Sequence, residues 1–266
     1  PLLELNEVVG VTNNVVGTRI LADACVSARV PRLTMISTDK AVRPTNVMGR
    51  SKRVAELYIQ ALARHPETPT QFGIVRFGNV LDSSGSVVQR FRRQISQGGP
   101  VTVTHEDITR FFMSIPEATQ LVLQANSLAA QGEVFVLDMG EPIRIADLAR
   151  TMIALSGMTE RTTEHPNGDI EIRYVGLRPG EKLHEELFVG EPIAETVHPQ
   201  INMAKERSLP LDELLPHLRR LDIALEARDA RSVRAILTRI LELDFAVPRG
   251  RQNSGKRPSP LNASRI

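Results

Sequence analysis

Two apolar runs with one helical segment between them constrain the fold of this chain more than any other feature of its sequence. The runs RLTMIS at 32–37 and QFGIVRFGNV at 71–80 are typical of strands that are buried on both faces, and a helical pattern covers residues 45–64. A strand–helix–strand unit of this length requires parallel strands that are joined by a right-handed crossover. The sequence therefore predicts an α/β fold that is built on a parallel sheet.

Shorter helical and extended segments surround this unit. A helical pattern covers residues 5–28, a Ser/Gly loop follows the second run, and Ser114 and Glu117 form a capping box that predicts the start of another helix. The remaining predicted elements are the helices 145–156, 211–226 and 228–243 and the strands 101–103, 133–139 and 169–176. We therefore predict four regions, 1–80, 81–200, 201–246 and 247–266, of which the third is a helical pair and the last, rich in Arg, Ser and Pro, is disordered.

The charge and the cysteine content argue against several classes of function. The net charge is +2 over 266 residues, so the basic residues Arg90, Arg92 and Arg93 are interpreted as solvated surface, and no nucleic-acid partner is expected. Cys25 is the only cysteine, which excludes an internal disulfide and indicates a reducing cytoplasm. The six histidines show no HxH or HxxxH spacing, so no metal site is expected. No apolar run approaches the ~20 residues of a membrane span, and residues 1–10 lack the basic region of a signal peptide.

Polar side chains follow both apolar runs, at the edge of the sheet where ligands bind in parallel α/β folds. Ser37, Thr38, Asp39 and Lys40 come at the end of the first run, and Asn79 lies at the end of the second. The carboxylate of Asp39 and the ammonium of Lys40 form the kind of pair whose pKa values a cleft can adjust for proton transfer. The alternative is a solvent-exposed ion pair, which is common where charged residues are adjacent in a turn.

Met48 and Lys52 lie four residues apart and therefore on one face of the helix 45–64. A lysine in this position can assist a neighbour that gives up a proton, but a thioether exchanges no proton at any useful pH. Either the site is inactive, or its acid–base chemistry lies elsewhere in the stretch 37–52. The alternatives are an ordinary surface lysine and a methionine that fills the core.

Two further segments have weaker signals for binding an anion. The loop SSGS at 83–86 can offer backbone N–H groups to a phosphate. In LRPGEKLHEEL at 177–187, Arg178 can hold a pyrophosphate through its planar guanidinium, and Glu181 can accept a hydrogen bond from a ribose hydroxyl. The alternative for this second segment is the start of a helix.

Six motifs in a fixed order resemble one protein family closely. They are NNVVGT (13–18), STDKAVRPTNVMGRSKRVAE (37–56), FGIVRFGNVLDSSGSVVQRF (72–91), GGPVTVTHEDITRFFM (98–113), FVLDMGEPIRIADLA (135–149) and LRPGEKLHEEL (177–187). The family is the capsular-polysaccharide branch of nucleotide-sugar 4,6-dehydratases, within the extended short-chain dehydrogenase/reductase superfamily. The resemblance implies the C-terminal part of a Rossmann-type parallel sheet at 1–80, a smaller α/β region at 81–200 that binds the nucleotide sugar, and C-terminal helices.

The resemblance also implies a reaction and its participants. The substrate would be UDP-N-acetylglucosamine or a close relative, and the cofactor NAD or NADP. A hydride leaves C4 of the sugar, water is lost across C5 and C6, and the hydride returns to C6. Thr38, Asp39 and Lys40 match the catalytic residues of the family, and Lys52 matches the lysine that binds the nicotinamide ribose. Met48 stands where the superfamily usually has Tyr, as in the large membrane-associated members of this branch, so that Asp39 and Lys40 would carry the proton transfers.

Further residues are assigned by the same resemblance. Around the cofactor we expect Asn14, Ser37, Lys52 and Phe77. Around the nucleotide sugar we expect Asn79, Ser84, Val87, Arg110, Arg178 and Glu181.

Two departures from the family pattern affect these expectations. Asp82 replaces a glycine that is usual in the family, which is expected to put a carboxylate near the phosphates of the substrate. The sequence also has no glycine-rich loop for a dinucleotide pyrophosphate, so we expect an exposed sheet edge beside the strand 32–37 and no turnover by this chain alone.

The sequence leaves other functions open. One is a non-catalytic module that binds nucleotide sugars, and another is a nucleotide-sugar 4-epimerase. We expect a cytoplasmic protein, at the inner face of the membrane if it belongs to a longer chain with membrane spans. The sequence leaves the oligomeric state open, and a homo-oligomer is one alternative, because superfamily members commonly pair through helices.

Overall fold

The computed structural model of the chain describes residues 2–83, 85–186, 193–206 and 208–245. The stretch 247–266, which is predicted to be disordered, lies outside these residues. Within them, no helix combines the length and the apolar character that crossing a membrane requires.

The helices lie close to their predicted positions. They are α1 (Leu2–Leu5), α2 (Glu7–Val11), α3 (Gly17–Ser27), α4 (Val47–Ala63), α5 (Val87–Ser96), α6 (Ile115–Leu128), α7 (Ile145–Leu155), α8 (Leu211–Glu226) and α9 (Ala230–Phe245). The predicted helix 5–28 is divided, because a π-helical turn at Thr12–Val16 joins α2 to α3. Helix α4 is capped by Asn46, whose side chain accepts from the backbone N–H of Gly49. The capping box at Ser114 is confirmed.

The strands form one larger sheet and three small ones. They are β1 (Arg32–Thr38), β2 (Gln71–Phe77), β3 (Asn79–Val80), β4 (Val101–Val103), β5 (Thr109–Arg110), β6 (Phe112–Met113), β7 (Gln131–Leu137), β8 (Ile143–Arg144), β9 (Glu160–Arg161), β10 (Ile170–Tyr174), β11 (Ile193–Glu195) and β12 (Ile201–Ala204). The predicted strand 71–80 is broken at Gly78, and β3 leaves the larger sheet to pair with β6. The break lies close to the turn after β1, because an added Cβ on Gly78 would be 3.4 Å from Asp39 Oδ2.

The larger sheet has the strand order β1-β2-β7-β12-β11. β1, β2 and β7 are parallel, as predicted, and β1 pairs with β2 along its whole length. β12 and β11 are antiparallel additions that the sequence did not predict. The fold is therefore the predicted mixed α/β fold with a parallel sheet and C-terminal helices.

Helix α4 is buried along most of its length between this sheet and the helices α8 and α9. Helix α6 covers the opposite face of the sheet, around Phe135 and Leu137 of β7. A separate core around Phe91, Val103 and Ile153 joins α5 and α7 to β4 and β10. Helix α6 and strand β7 fall within the predicted region 81–200, but they pack with the larger sheet. The boundaries between the predicted regions therefore stay a prediction.

One edge of the larger sheet is open within the described residues. β1 pairs there only with β2, and Ile36 on its outer side is 53% exposed. Lys52 covers part of this edge, because its Nζ donates to the backbone oxygen of Ile36 at 3.1 Å. An open strand edge with an exposed apolar residue agrees with the expectation from the sequence.

A buried network of charges ties the sheet to the helices. The Glu56 carboxylate of α4 accepts from Ser37 Oγ of β1 at 2.5 Å, from Arg76 Nε of β2 at 2.8 Å and from Arg53 Nη1 at 3.1 Å. Asp244 of α9 takes two hydrogen bonds from Arg53, at 2.7 and 2.8 Å. Glu206, which follows β12, contacts both arginines.

The network stays ionised at neutral pH. Burial works to raise the pKa of Glu56, but the charges of Arg76 and Arg53 outweigh it and lower the pKa below its usual range. A partner lost from such a network leaves an uncompensated charge in the core, which costs far more than the loss of a surface ion pair.

We expect Arg76→Met to destabilise the protein by about 3–5 kcal/mol, because Glu56 loses a buried partner. Arg92→Met is the matched control: Arg92 is exposed and pairs with the exposed Asp82, so its loss should cost less than about 1 kcal/mol. Urea unfolding of both variants measures the two values. Equal losses of stability would show that the network does not hold the sheet to α4.

Candidate active site

A cleft with two adjoining lobes opens at the carboxyl ends of β1 and β2. The lobes have volumes of about 500 and 480 Å³. They share part of their lining, namely Lys40, Met48, Asn79, Arg110, Arg178 and Glu181. All six were singled out in the sequence, and the structure brings them together in one place.

The turn that follows β1 presents Lys40 to this cleft and buries the neighbouring Asp39. Residues Asp39–Ala41 form a single 3₁₀ turn, and Thr38 caps it by accepting from the backbone N–H of Lys40. The Thr38 hydroxyl donates to Asp39 Oδ1 at 2.8 Å, which fixes the carboxylate. Helix α4 holds the turn from outside, since a Cβ atom on Gly49 would lie 2.1 Å from the backbone oxygen of Lys40. Only glycine allows the two backbones to come this close.

Asp39 and Lys40 belong to a chain of buried charges. Lys40 Nζ lies 2.9 Å from Asp39 Oδ1 and 2.6 Å from Glu185 Oε1. Glu185 is also contacted by Arg110 Nε at 3.2 Å and by Asn79 Nδ2 at 3.1 Å. The side chain of Asp39 is 0% exposed and that of Glu185 is 4% exposed. The interpretation of Asp39 and Lys40 as a solvent-exposed ion pair is therefore wrong.

The pKa values of this cluster reflect its burial and its crowded charges. Burial works to lower the pKa of Lys40, but the carboxylates of Asp39 and Glu185 outweigh it, so the pKa is raised and the amine stays protonated. Burial and the nearby charge of Asp39 raise the pKa of Glu185 to about 7, against the opposing charges of Lys40 and Arg110. The cluster thus contains a carboxyl group that titrates near neutral pH.

Met48 and Lys52 occupy different surroundings although they share a helix. Met48 lines both lobes of the cleft. Lys52 does not line the cleft, since its amine is bound to the outer edge of β1, and burial lowers its pKa against the opposing charge of Glu56.

The other residues predicted to bind a cofactor lie away from the cleft. Asn14 Nδ2 donates to Ser51 Oγ at 2.9 Å, and Ser37 is bound by Glu56 of the buried network. Phe77 packs into the core beside α6. These placements leave their roles toward a cofactor as predictions.

Positively charged groups dominate the larger lobe. Arg90 and Arg178 both line it. Burial and the charge of Arg178 lower the pKa of Arg90, which shows that the two guanidinium groups oppose each other. Arg90 Nε is buried without a hydrogen-bond partner among the described residues. The interpretation of Arg90 as solvated surface is therefore wrong, and the lobe is suited to an anion.

The segment around Arg178 is a turn, and residues 177–186 contain no helix, so the prediction of a helix start is wrong. Thr45 Oγ1 donates to the backbone oxygen of Gly180 at 2.9 Å and ties the turn to α4. Glu181 accepts from the backbone N–H of Arg178 at 3.0 Å and lies 3.3 Å from Arg110 Nη2.

The loop after β3 holds the remaining predicted residues. Val87 lines the larger lobe, whereas Ser84 lies outside the described residues. Asp82 does not line the cleft: its carboxylate pairs with Arg92 on the surface of α5. Its backbone φ of 58° lies in the left-handed region, which glycine adopts easily and aspartate tolerates. The expectation of a carboxylate near bound phosphates is therefore not supported.

Three residues of the site were missed in the sequence. Glu185 lies inside a quoted motif but next to Glu186, and nothing local distinguishes the two. Arg90 is one of three nearby arginines. Gly49 directly follows Met48, and only its contact with the backbone of Lys40 shows its importance. No arrangement of three or more His, Cys, Asp or Glu side chains suited to a metal occurs in the described part of the chain.

Comparison with known proteins finds a family that matches most of this chain. The family described as "Polysaccharide biosynthesis protein" matches residues 1–206. The capsular polysaccharide biosynthesis protein CapD of Staphylococcus aureus is 52% identical over 200 residues, which cover 75% of this chain and 31% of that protein. A UDP-glucose 4-epimerase of Rickettsia canadensis is 35% identical over 196 residues, which cover 73% of this chain and 54% of the epimerase. The chain thus spans about a third of the first relative and about half of the second.

Solved structures agree with the fold. The structure of Pen from Bacillus thuringiensis superposes with a TM-score of 0.68 at 33% identity and covers 76% of this chain and 62% of Pen. DesIV from Streptomyces venezuelae, a dTDP-glucose 4,6-dehydratase, superposes with a TM-score of 0.57 at 20% identity, over 68% of this chain and 58% of DesIV. At that identity the second likeness shows the fold alone, which is Rossmann-like.

We expect Gly49→Ala to displace the turn at Lys40 and to destabilise the protein by at least about 2 kcal/mol, because the added methyl group meets a backbone oxygen that cannot rotate away. Gly17→Ala is the matched control, since a Cβ there meets only Thr12 O at 4.0 Å and should stabilise α3 by up to about 1 kcal/mol. Thermal unfolding measures both changes. A Gly49→Ala variant as stable as the control would refute the close approach.

Proposed function

The chain belongs to the polysaccharide biosynthesis protein family, and we propose that its cleft performs the acid–base steps of a nucleotide-sugar 4,6-dehydration. The proposed substrate is a UDP-linked N-acetylhexosamine, which becomes a 4-keto-6-deoxy sugar. The observation that carries the proposal is the buried pair of Asp39 and Lys40, of which Lys40 opens onto the cleft.

Dehydration needs proton transfer at three places on the sugar, namely the C4 hydroxyl, the C5 hydrogen and the C6 hydroxyl. A carboxylate and an ammonium held 2.9 Å apart can supply one base and one acid. Asp39 Oδ2 is buried without a hydrogen-bond partner among the described residues, so this oxygen is free to accept a proton. Met48 lines the cleft beside the pair and contributes no proton.

The positive lobe would hold the diphosphate of the substrate. Arg178 and Arg90 line this lobe. Among the described residues that line it, Glu181 is the one carboxylate, and it is already paired with Arg110. A phosphate offers each guanidinium a charge-assisted hydrogen bond. Binding there would place the sugar toward Lys40, since both lobes share that residue.

The proposed reaction also needs NAD or NADP, which when bound accepts the hydride from C4 and returns it at C6. Lys52 and Asn14 lie near the open edge of β1 and beside α4, where they would help to hold the nicotinamide end. Nucleotide sugars and dinucleotides are cytoplasmic compounds, which agrees with the single cysteine of the chain.

A 4-epimerase is the second candidate, because the Rickettsia relatives of this chain carry that description. Epimerisation inverts C4 alone and requires no proton removal from C5. The two reactions therefore differ in their need for a base and an acid at C5 and C6.

We predict that a chimera of the Staphylococcus aureus relative, with its matched 200 residues replaced by those of this chain, forms a 4-keto-6-deoxy sugar from UDP-N-acetylglucosamine. This chain alone, given NAD⁺, should form none, because its sequence has no glycine-rich dinucleotide loop. Mass spectrometry detects the loss of water. Product from the isolated chain, or an epimer from the chimera, would contradict the corresponding part of the prediction.

In the same chimera, Asp39→Asn and Lys40→Ala should each lower kcat by roughly 10²–10⁴-fold, as expected for the loss of a general acid or base. Arg43→Ala is the matched control, because Arg43 is exposed near the same turn and pairs loosely with Glu186. Full activity of both catalytic-pair variants would exclude dehydration through this pair.

We further expect Arg178→Gln and Arg90→Gln each to weaken the binding of UDP by roughly 10- to 100-fold, because each removes a charged hydrogen bond to a phosphate. Arg92→Gln should leave the affinity unchanged, since Arg92 lies on the same helix as Arg90 but faces Asp82. Calorimetry with UDP and with uridine separates phosphate from base contacts. An equal loss for uridine would place Arg90 at the base instead.

A further inference from the structure

The two lobes of the cleft offer different surroundings to a ligand. Arg90 lines only the larger lobe, beside Arg178, which lines both. Leu3 and Pro179 line only the smaller lobe, and Met48 adds an apolar side chain to both. A ligand with an anionic part and a neutral, partly apolar part would therefore be divided between the two lobes.

The charged side chains that line only the smaller lobe already have partners within the protein. They are Glu4, Lys182 and Glu185. The first accepts from a backbone N–H at the start of α4 at 2.8 Å, and the second donates to a backbone oxygen that precedes α4 at 3.1 Å. Glu185 lies between two cations, 2.6 Å from Lys40 and 3.2 Å from Arg110. A neutral group that enters this lobe leaves each of these pairs intact.

The walls of the smaller lobe are fastened to the start of α4. Glu4 ties α1 to the helix, and the Thr45 hydroxyl ties the turn of Pro179 by donating to the backbone oxygen of Gly180 at 2.9 Å. A Cβ atom on Gly180 would lie 3.2 Å from the Cβ of Asn46, so the turn packs closely on the helix.

Leu3 is held in the same wall. Its side chain packs against Gly10 of α2, where an added Cβ would overlap it. The lobe is therefore formed before a ligand arrives, and binding does not have to order it.

We propose that the smaller lobe binds the acetamido group of an N-acetylhexosamine, and that Leu3 and Pro179 select the N-acetylated sugar. The inference deepens the proposed function and rests on it, because it takes a UDP-linked sugar as the ligand. It adds two specificity-determining residues, from α1 and from the turn around Arg178, to a site whose other residues hold charge or move protons.

The chemistry of an acetamido group matches this lining. Its methyl group would leave water for the apolar side chains of Leu3, Met48 and Pro179. Its N–H can donate to Thr45 Oγ1, which lines the lobe, gives its own hydrogen to Gly180 and keeps its lone pairs. A sugar with a hydroxyl at C2 offers no methyl group to these side chains.

The test is calorimetry of the 266-residue chain with UDP, UDP-glucose and UDP-N-acetylglucosamine. No dinucleotide is present, so a nicotinamide ring cannot occupy the lobe. We expect UDP-N-acetylglucosamine to bind roughly 10-fold more tightly than UDP-glucose, as one methyl group in an apolar pocket allows.

Leu3→Ala should lower this ratio of affinities to about 3-fold or less, because it removes most of the apolar contact. The affinity for UDP should stay unchanged, since Leu3 does not line the larger lobe. Leu5→Ala is the matched control: Leu5 lies on the same short helix, is 82% exposed and lines neither lobe, so the ratio should stay at its original value.

A second variant, from the other wall, covers a failure of Leu3→Ala to fold. Pro179→Ala should lower the ratio in the same direction, with the affinity for UDP again unchanged. Equal affinities of the unchanged chain for the two sugars, an unchanged ratio in the folded variants, an equal loss for all three ligands, or no binding of UDP-N-acetylglucosamine would each overturn the proposal.

These outcomes are distinct from a failure of the proposed function. An epimer formed by the chimera would refute dehydration and leave the acetamido site standing. A 4-keto-6-deoxy product from the chimera, together with equal affinities for the two sugars, would refute the site and leave dehydration standing.

Discussion

The carboxylate of Glu56 is the contact on which the arrangement of this site depends. It is buried, and it binds one residue from each of β1, β2 and α4, namely Ser37, Arg76 and Arg53. Ser37 stands two residues before Asp39, so the same carboxylate that anchors α4 also fixes where β1 ends. The ion network around Glu56 therefore helps to position the turn that carries Asp39 and Lys40. The same ion network therefore contributes to the stability of the fold and to the geometry of the site.

Close backbone contacts also hold the turn that follows β1 in place. Gly49 lets α4 meet the carbonyl of Lys40, and an added Cβ on Gly78 would lie 3.3 Å from the backbone oxygen of Phe111 and 3.4 Å from Asp39 Oδ2. A side chain at position 49 would push the turn away from α4, and one at position 78 would press on Phe111. The Asp39 carboxylate thus lies beside Gly78 and is held by the Thr38 hydroxyl and the Lys40 ammonium, which explains how it keeps one orientation without solvent.

The sequence predicted what local periodicity determines and missed what only distant contacts decide. The parallel pair β1 and β2, the helix between them and the polar tips of both strands follow from patterns of a few residues. Glu185 and Glu186 are identical in sequence context, yet the fold turns one toward Lys40 and the other toward Arg43. Arg90 and Arg92 differ in the same way, since helix α5 points one into the cleft and the other toward Asp82. Strand β12 likewise depends on its pairing with β7, and β11 on its pairing with β12, and no local pattern contains either pairing.

These contacts explain what a methionine at position 48 contributes to the cleft. A thioether beside Lys40 adds apolar, polarisable surface to the cleft and no competing hydrogen-bond donor. Less polar surroundings strengthen the coupling between Asp39, Lys40 and Glu185, since charges interact more strongly where water is excluded. A hydroxyl at the same place would offer one titrating group on α4, whereas the structure gathers three on a turn and a loop. In the proposed function the proton transfers would therefore fall to these connecting segments, and a methionine on the helix is compatible with that proposal.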